Sequence, residues 1–182
     1  MKTILDSNKF NVVIQRLSHQ IIENHADFSN SVLIGIQPRG ILLTKRLVHY
    51  IEQHLKLKLQ VGKLDITFYR DDFNTGNQLI PDQTEINFSI EGKKVILIDD
   101  VLYTGRTIRS ALDAILDFGR PDKVELLTLV DRRYSRHLPI QADYIGMTVD
   151  ALISEKVKVF WKESEGEDKV VLLNKKIEKQ KK

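Results

Sequence analysis

Thirteen consecutive residues concentrate the chemistry of this chain: Val95-Ile96-Leu97-Ile98-Asp99-Asp100-Val101-Leu102-Tyr103-Thr104-Gly105-Arg106-Thr107. Four apolar residues in unbroken series suit a strand buried on both faces, as in a parallel sheet. Asp99 and Asp100 then fall at the strand's C-terminal end, where open α/β sheets place their ligands. Two threonines and a glycine follow, ahead of a helical pattern at Ile108, Leu112 and Ile115. The N–H groups of such a loop, and the helix N-terminus behind it, attract phosphate. Gly105 allows the backbone to approach closely. Amides for a phosphate beside acids for hydroxyls suit a phosphorylated sugar.

Other chemistries fit less well. Four apolar residues followed by two acids also describe the metal-linked strand of a P-loop NTPase, and Gly35 and Gly40 have the G-x-x-x-x-G spacing. Ile41 and Leu42, however, stand where Lys and Ser/Thr must follow. His19 and His25 are six apart and His49 and His54 five apart, neither being the i, i+4 zinc spacing. With no cysteine, disulfides, thiolate metal sites and a cysteine nucleophile are excluded.

The elements that must position these residues are legible as patterns. Phe10, Val13, Ile14, Leu17, Ile21 and Ile22 recur at helical spacing, with Asp6 and Ser7 as candidate N-caps. Ser31–Ile36 is an unalternating apolar run that predicts a buried strand. Gln37-Pro38-Arg39-Gly40 breaks it, and a helix follows through Leu43, Leu47 and Ile51. Alternation predicts a strand over 59–69, and residues 70–90 read as a long polar loop of the kind that is often functional. Further strands are expected at 94–98, 124–130, near Tyr144, at 157–161 and at 170–173. Trp161 reads as a partly buried strand residue and Glu163–Asp168 as a solvated acidic turn. Strand–helix alternation gives an α/β fold with a mostly parallel central sheet flanked by helices.

The 182 residues suit one domain, expected over 1–173, with a basic tail at 174–182. The net charge of +3 comes from 28 Lys+Arg against 25 Asp+Glu. Five of the lysines and one glutamate lie in 174–182, so the rest carries 23 basic against 24 acidic residues, a net of −1. The basic character belongs to the tail and gives little hint of a nucleic-acid partner. No apolar run approaches the ~20 residues of a membrane span. Met1–Asp6 lacks the apolar stretch of a signal peptide, so the expected location is cytoplasmic.

Residues 95–107 resemble the phosphoribosyl-pyrophosphate motif of the type I phosphoribosyltransferases. Asp65–Asp72, Leu129-Val130-Asp131-Arg132, Leu138-Pro139-Ile140 and Ala142–Gly146 extend the likeness. Together they resemble the PyrR family, pyrimidine-operon attenuation regulators that double as uracil phosphoribosyltransferases, over roughly residues 10–160. The resemblance implies the type I phosphoribosyltransferase fold, with a small hood mainly at 131–160 that recognises uracil. It implies that Tyr103, Thr104, Gly105, Arg106 and Thr107 hold the donor's 5-phosphate, with Val101 and Leu102 leading into that loop. Asp99 and Asp100 would contact the ribose hydroxyls. Pro38, Arg39 and Gly40 would form the pyrophosphate loop, and Arg70 would reach the pyrophosphate from a mobile lid. Mg²⁺ is implied as cofactor, held through substrate oxygens with Asp99 and Asp100 as candidate protein ligands. A homodimer or homotetramer is also implied.

The family's second activity, RNA binding, implies a basic face. Arg16 and His19 match it, and Arg132, Arg133 and Arg136 are candidate substitutes for the rest. Asn24, Gln141 and Met147 stand where basic side chains would be expected, and Pro38 where a threonine would be. Three readings compete: a uracil phosphoribosyltransferase with or without RNA regulation, a UMP-sensing RNA-binding regulator with little catalysis, and a phosphoribosyltransferase for another base. The complete donor motif favours the first.

Overall fold

In a computed structural model the described residues are 1–70, 82–152 and 154–174. Residues 71–81 of the long loop expected over 70–90, and 175–182 of the basic tail expected over 174–182, lie outside them. Five strands form the main sheet: β2 (Ser31–Ile36), β3 (Val61–Leu64), β4 (Lys94–Leu102), β5 (Lys123–Arg132) and β6 (Tyr144–Val149), in the order β3-β2-β4-β5-β6, all parallel. β2 is buried along its whole length, as a central strand covered on both faces must be. Helices α1 (Ser7–His25) and α2 (Gly40–Leu55) bury Phe10, Leu17, Ile21, Leu43, Leu47 and Ile51 in one core. Helix α3 (Arg106–Ile115) contributes Ile108, Ala111 and Ile115 to a second core. Asp6 caps α1 by accepting from the Lys9 N–H at 2.9 Å.

A smaller antiparallel sheet, β1-β8-β7, combines β1 (Lys2–Leu5), β7 (Glu155–Phe160) and β8 (Lys169–Asn174), with the short helix α4 (Lys162–Glu165) between the last two. The stretch 131–160 expected as a hood therefore divides: β6 completes the main sheet and only β7 belongs to the small one. Two further expectations are corrected and a third is qualified. The strand predicted over 59–69 ends at Leu64, because the Asp65 carboxylate accepts from both the N–H and the hydroxyl of Thr67 and turns the chain into a 3₁₀ turn at Thr67–Tyr69. Trp161 is fully buried, edge-on to Phe10 at 5.2 Å between ring centroids. The acidic turn is exposed at Glu163, Ser164, Gly166 and Glu167, as expected, but it is anchored to α2. Arg46 pairs with both Glu163 and Asp168 at 2.7 Å, and Asp168 is buried.

At the N-terminal edge of the main sheet lies a polar network unforeseen from sequence. His25 Nε2 meets Glu125 Oε2 at 2.8 Å, and its Nδ1 meets the Ser31 hydroxyl at 2.8 Å. Tyr144 OH donates to Glu125 at 2.7 Å and Lys123 Nζ at 2.6 Å. The network fastens the end of α1 to β2, β5 and β6. Burial alone would raise the Glu125 carboxyl, but the hydrogen bonds from Lys123, Tyr144 and His25 outweigh it and hold the group down to about 2.

A folded-state value below the unfolded one means the stabilisation is complete above about pH 4.5 and is lost as the pH falls towards 2. Glu125→Gln is therefore expected to lower the unfolding free energy by about 1–3 kcal/mol at pH 7. The gap should narrow between pH 4.5 and 2 in urea titrations, and a gap independent of pH would show that ionisation contributes nothing.

Candidate active site

The direction in which successive strands are added reverses at one place in the main sheet. From β2 the chain moves outward to β3, and from β4 it moves the other way to β5, with β2 and β4 side by side. Doubly wound sheets bind ligands in the crevice above the strand ends at such a switch point. Both loops singled out in the sequence emerge there: 37–40 after β2 and 103–105 after β4.

β2 and β4 part company after the Gly35–Ile98 pair, while β4 continues along β5 through Asp99–Thr128 and Val101–Val130. Asp99 and Asp100 thus overhang the end of β2, held in register from one side only. Both are buried, 7 % and 8 % exposed. Asp99 Oδ1 accepts from the Asp100 N–H at 2.9 Å. Burial, followed by the neighbouring Asp100 charge, pushes the Asp99 carboxyl well above the usual carboxylate range. Burial also raises Asp100, against the opposing pull of Arg39.

Arg39 reaches this pair from the other loop: its Nε donates to Asp100 Oδ2 at 2.8 Å, Nη2 to the Val159 carbonyl and Nη1 to Glu165 at 3.5 Å. Gly40 brings the loops together. A Cβ there would sit 2.3 Å from the Ile98 carbonyl oxygen and 3.1 Å from Asp99 Cα, so no larger residue fits without moving β4. The peptide Gln37–Pro38 is cis, and Pro38 is exposed.

Helices α2 and α3 start at these loops, and neither has a side-chain cap from its N-cap residue, Arg39 or Gly105. Their first-turn N–H groups, each with the positive end of a helix dipole, flank the carboxylate pair. Gly105 takes φ 91°, which glycine adopts freely. Leu102 is buried, while Tyr103 and Arg106 are exposed and Val101, Thr104 and Thr107 half-buried. Arg70 ends a segment docked on α3, where the Ser110 hydroxyl donates to the Tyr69 carbonyl at 3.0 Å.

Arg132 and Arg136, expected on an RNA-binding face, brace the 103–105 loop instead. Arg132 is 4 % exposed and lies 4.0 Å over the Tyr103 ring. Arg136 donates to the carbonyls of Leu102, Tyr103, Arg132 and Ile140 and pairs with Asp131. The N–H groups of His137 and Leu138 reach the Thr104 carbonyl at 2.9 and 3.2 Å. Arg133 is exposed but paired with Asp150 through two 2.7 Å hydrogen bonds. Arg16 is exposed and donates to the carbonyls of Ile145 and Gly146, and half-buried His19 meets Tyr50 OH at 2.9 Å. Sequence reasoning missed the bracing role, although three arginines within five residues of a strand end in the donor-site layer were its visible trace.

The phosphoribosyl transferase domain model matches residues 1–164. "Bifunctional protein PyrR" of Haemophilus ducreyi is 47 % identical over 95 % of this chain and 97 % of its own length. That of Desulfosudis oleivorans is 48 % identical over 93 % of this chain and 94 % of its own. This chain belongs to the PyrR family of phosphoribosyltransferase-domain proteins. The fold of that family is matched by solved structures: a Staphylococcus aureus hypoxanthine phosphoribosyltransferase (TM-score 0.74, 20 % identity, 97 % of this chain and 93 % of that one) and the Trypanosoma cruzi enzyme (0.75, 17 %, 100 % and 95 %). In this PyrR-family chain residues 95–107 are thus seated at the switch point of a type I phosphoribosyltransferase fold.

A buried acid whose folded-state value is raised opposes folding once the pH passes its unfolded value near 4. Asp99→Asn removes that cost, and its carboxamide oxygen can keep the bond to the Asp100 N–H. The variant is expected to melt about 2–4 °C higher than the parent at pH 7.5, the shift that roughly 1 kcal/mol produces in a domain of this size. The two should converge below pH 4, and a lower melting temperature at pH 7.5 would refute the assigned strain.

Proposed function

We propose that the protein transfers the phosphoribosyl group of phosphoribosyl pyrophosphate (PRPP) to uracil, giving UMP and pyrophosphate, and also regulates pyrimidine-operon expression by binding leader RNA. One observation carries the first part: a buried carboxylate pair at the switch point, flanked by the N-termini of two helices whose N-cap residues, Arg39 and Gly105, give no side-chain cap. Acids for ribose hydroxyls stand there between two cradles for phosphate.

In this reading Tyr103–Thr107 hold the 5-phosphate through backbone amides and the Thr104 and Thr107 hydroxyls. Arg39 receives the pyrophosphate, with Pro38 and Gly40 shaping its loop, and Arg70 approaches it from beside Tyr69. Asp99 and Asp100 accept from the ribose hydroxyls and favour the positive charge that develops on the sugar. The bond from uracil N1 to C1 forms as the C1–O bond to pyrophosphate breaks, and the N1 proton is lost. The work is positioning and charge stabilisation. No cluster of three or more His, Asp or Glu suited to a metal occurs among the described residues. Two adjacent carboxylates nevertheless suit a hard cation that takes its remaining ligands from substrate and water. Asp99 and Asp100 would hold Mg²⁺ together with the donor, and the ion would neutralise charge on the departing pyrophosphate. A cytoplasmic setting and a homo-oligomeric state accompany this reading. Among the described residues no helix is long and apolar enough to cross a membrane.

With PRPP, Mg²⁺ and uracil, hypoxanthine, guanine or orotate offered separately, pyrophosphate release is expected with uracil alone. Asp99→Asn combined with Asp100→Asn should lower kcat/KM by roughly 10²–10³-fold. Release that requires another base would overturn the substrate, and retained turnover in the double variant would overturn the carboxylate role.

The relatives' naming as bifunctional supports the second activity, with Arg16, His19 and Arg133 as the surface residues for it. A gel shift with a pyrimidine-operon leader transcript at two salt concentrations is expected to show UMP-strengthened binding. Binding indifferent to UMP and steeply salt-dependent would reduce it to non-specific phosphate contact.

A further inference from the structure

Arg39, the N-cap residue of α2, and Arg46 within it lie seven residues apart, about two turns of helix, and so come to the same side. Both meet the acidic turn between β7 and β8. Arg46 grips it at the far end: two 2.7 Å hydrogen bonds to Asp168, with Nη2 and Nε on Glu163 at 2.7 and 3.2 Å. The Arg46 guanidinium also lies 5.4 Å from the Trp161 ring and 5.6 Å from that of Phe10, both buried. Asp168 accepts from the Lys162 N–H at 2.8 Å, and the Ser7 hydroxyl donates to the Asp168 carbonyl at 2.7 Å. The turn is therefore fixed to α1 and α2.

At its near end stands Glu165. Its Oε2 accepts from the Trp161 N–H at 2.9 Å and from the Ser164 hydroxyl, and its Oε1 faces Arg39 Nη1 at 3.5 Å. Arg39 is thus shared between two carboxylates, Asp100 at 2.8 Å and Glu165. They differ in what binding asks of them. Asp100 must turn to the donor, whereas Glu165 is held by its own turn.

We infer that Glu165 is a positioning residue for the transfer, keeping the Arg39 guanidinium over the pyrophosphate loop when Asp100 releases it to engage the donor. This rests on the proposed phosphoribosyl transfer. Without the Glu165 charge, Arg39 has Asp100 as its one anionic partner among the described residues and settles on it, occupying both halves of the donor site at once. The consequence opposes simple electrostatics. Removing a negative charge near an anionic ligand should tighten its binding, whereas loss of the positioning contact should weaken it.

The test compares parent, Glu165→Gln and Glu165→Asp in full-length protein, measuring KM for PRPP and uracil, KM for pyrophosphate in the reverse reaction, and melting temperature. Glu165→Gln is expected to raise KM for PRPP and pyrophosphate about 5–30-fold, with KM for uracil within twofold and the melting temperature within a few degrees. Glu165→Asp, which retains the charge, should recover a large part of the loss. Unchanged or lower KM for PRPP and pyrophosphate in Glu165→Gln would overturn the inference, as would a uniform fall in activity that tracks a lower melting temperature. Failure of the underlying reading is separately visible, because the parent itself would then release no pyrophosphate with uracil.

Discussion

Two carboxylates side by side and shielded from water resist ionisation, and the architecture of the site follows from managing that cost. The overhang of β4 beyond β2 creates the position, since there a buried strand loses a neighbour on one side. Gly40 lets the α2 loop come close enough for Arg39 to reach Asp100. Arg39 in turn needs a second anchor, which the acidic turn supplies. Strain at the carboxylates is tolerated because apolar layers on both sheet faces fix the strand that bears them.

Charge is distributed unevenly along the sheet. At the N-terminal edge Glu125 sits among donors and stays ionised. At the C-terminal edge burial raises Asp99 and Asp100, against the pull of the Arg39 guanidinium hydrogen-bonded to Asp100. The first network is satisfied within the protein and ties α1 to the strands. The second is left unbalanced, which is what the proposed site for ribose hydroxyls and a cation requires. Arginines elsewhere serve structure: Arg46 fastens the turn, and Arg132 and Arg136 hold the donor loop.

The parallel sheet, the three long helices and the carboxylate pair were legible because each rests on local periodicity or on a run of adjacent residues. The unbroken apolar series at 31–36 and 95–98 could only be central strands. What stayed hidden depends on contacts across long separations in sequence. Strand β1 is four residues with no pattern of its own and exists through pairing with β8. Glu163–Asp168 has the composition of a solvated turn, and nothing local announces that an arginine 117–122 residues away will neutralise it. Arg132 and Arg136 were misplaced for a related reason: a cluster of arginines reads as a surface for phosphate until the carbonyls they serve are known. Asp65 shortened a predicted strand through a side-chain bond that alternation cannot register.

The central claim is that Arg39, Asp99, Asp100 and the 103–107 loop form one donor site in which Arg39 changes partner. A crystal structure of the full chain with PRPP and Mg²⁺ tests it most directly. The account predicts the 5-phosphate on the amides of 103–107, the ribose hydroxyls at Asp99 and Asp100, and Arg39 moved from Asp100 to the pyrophosphate with Glu165 still beside it. A donor bound elsewhere, or bound there with the Arg39–Asp100 pair intact, would contradict it.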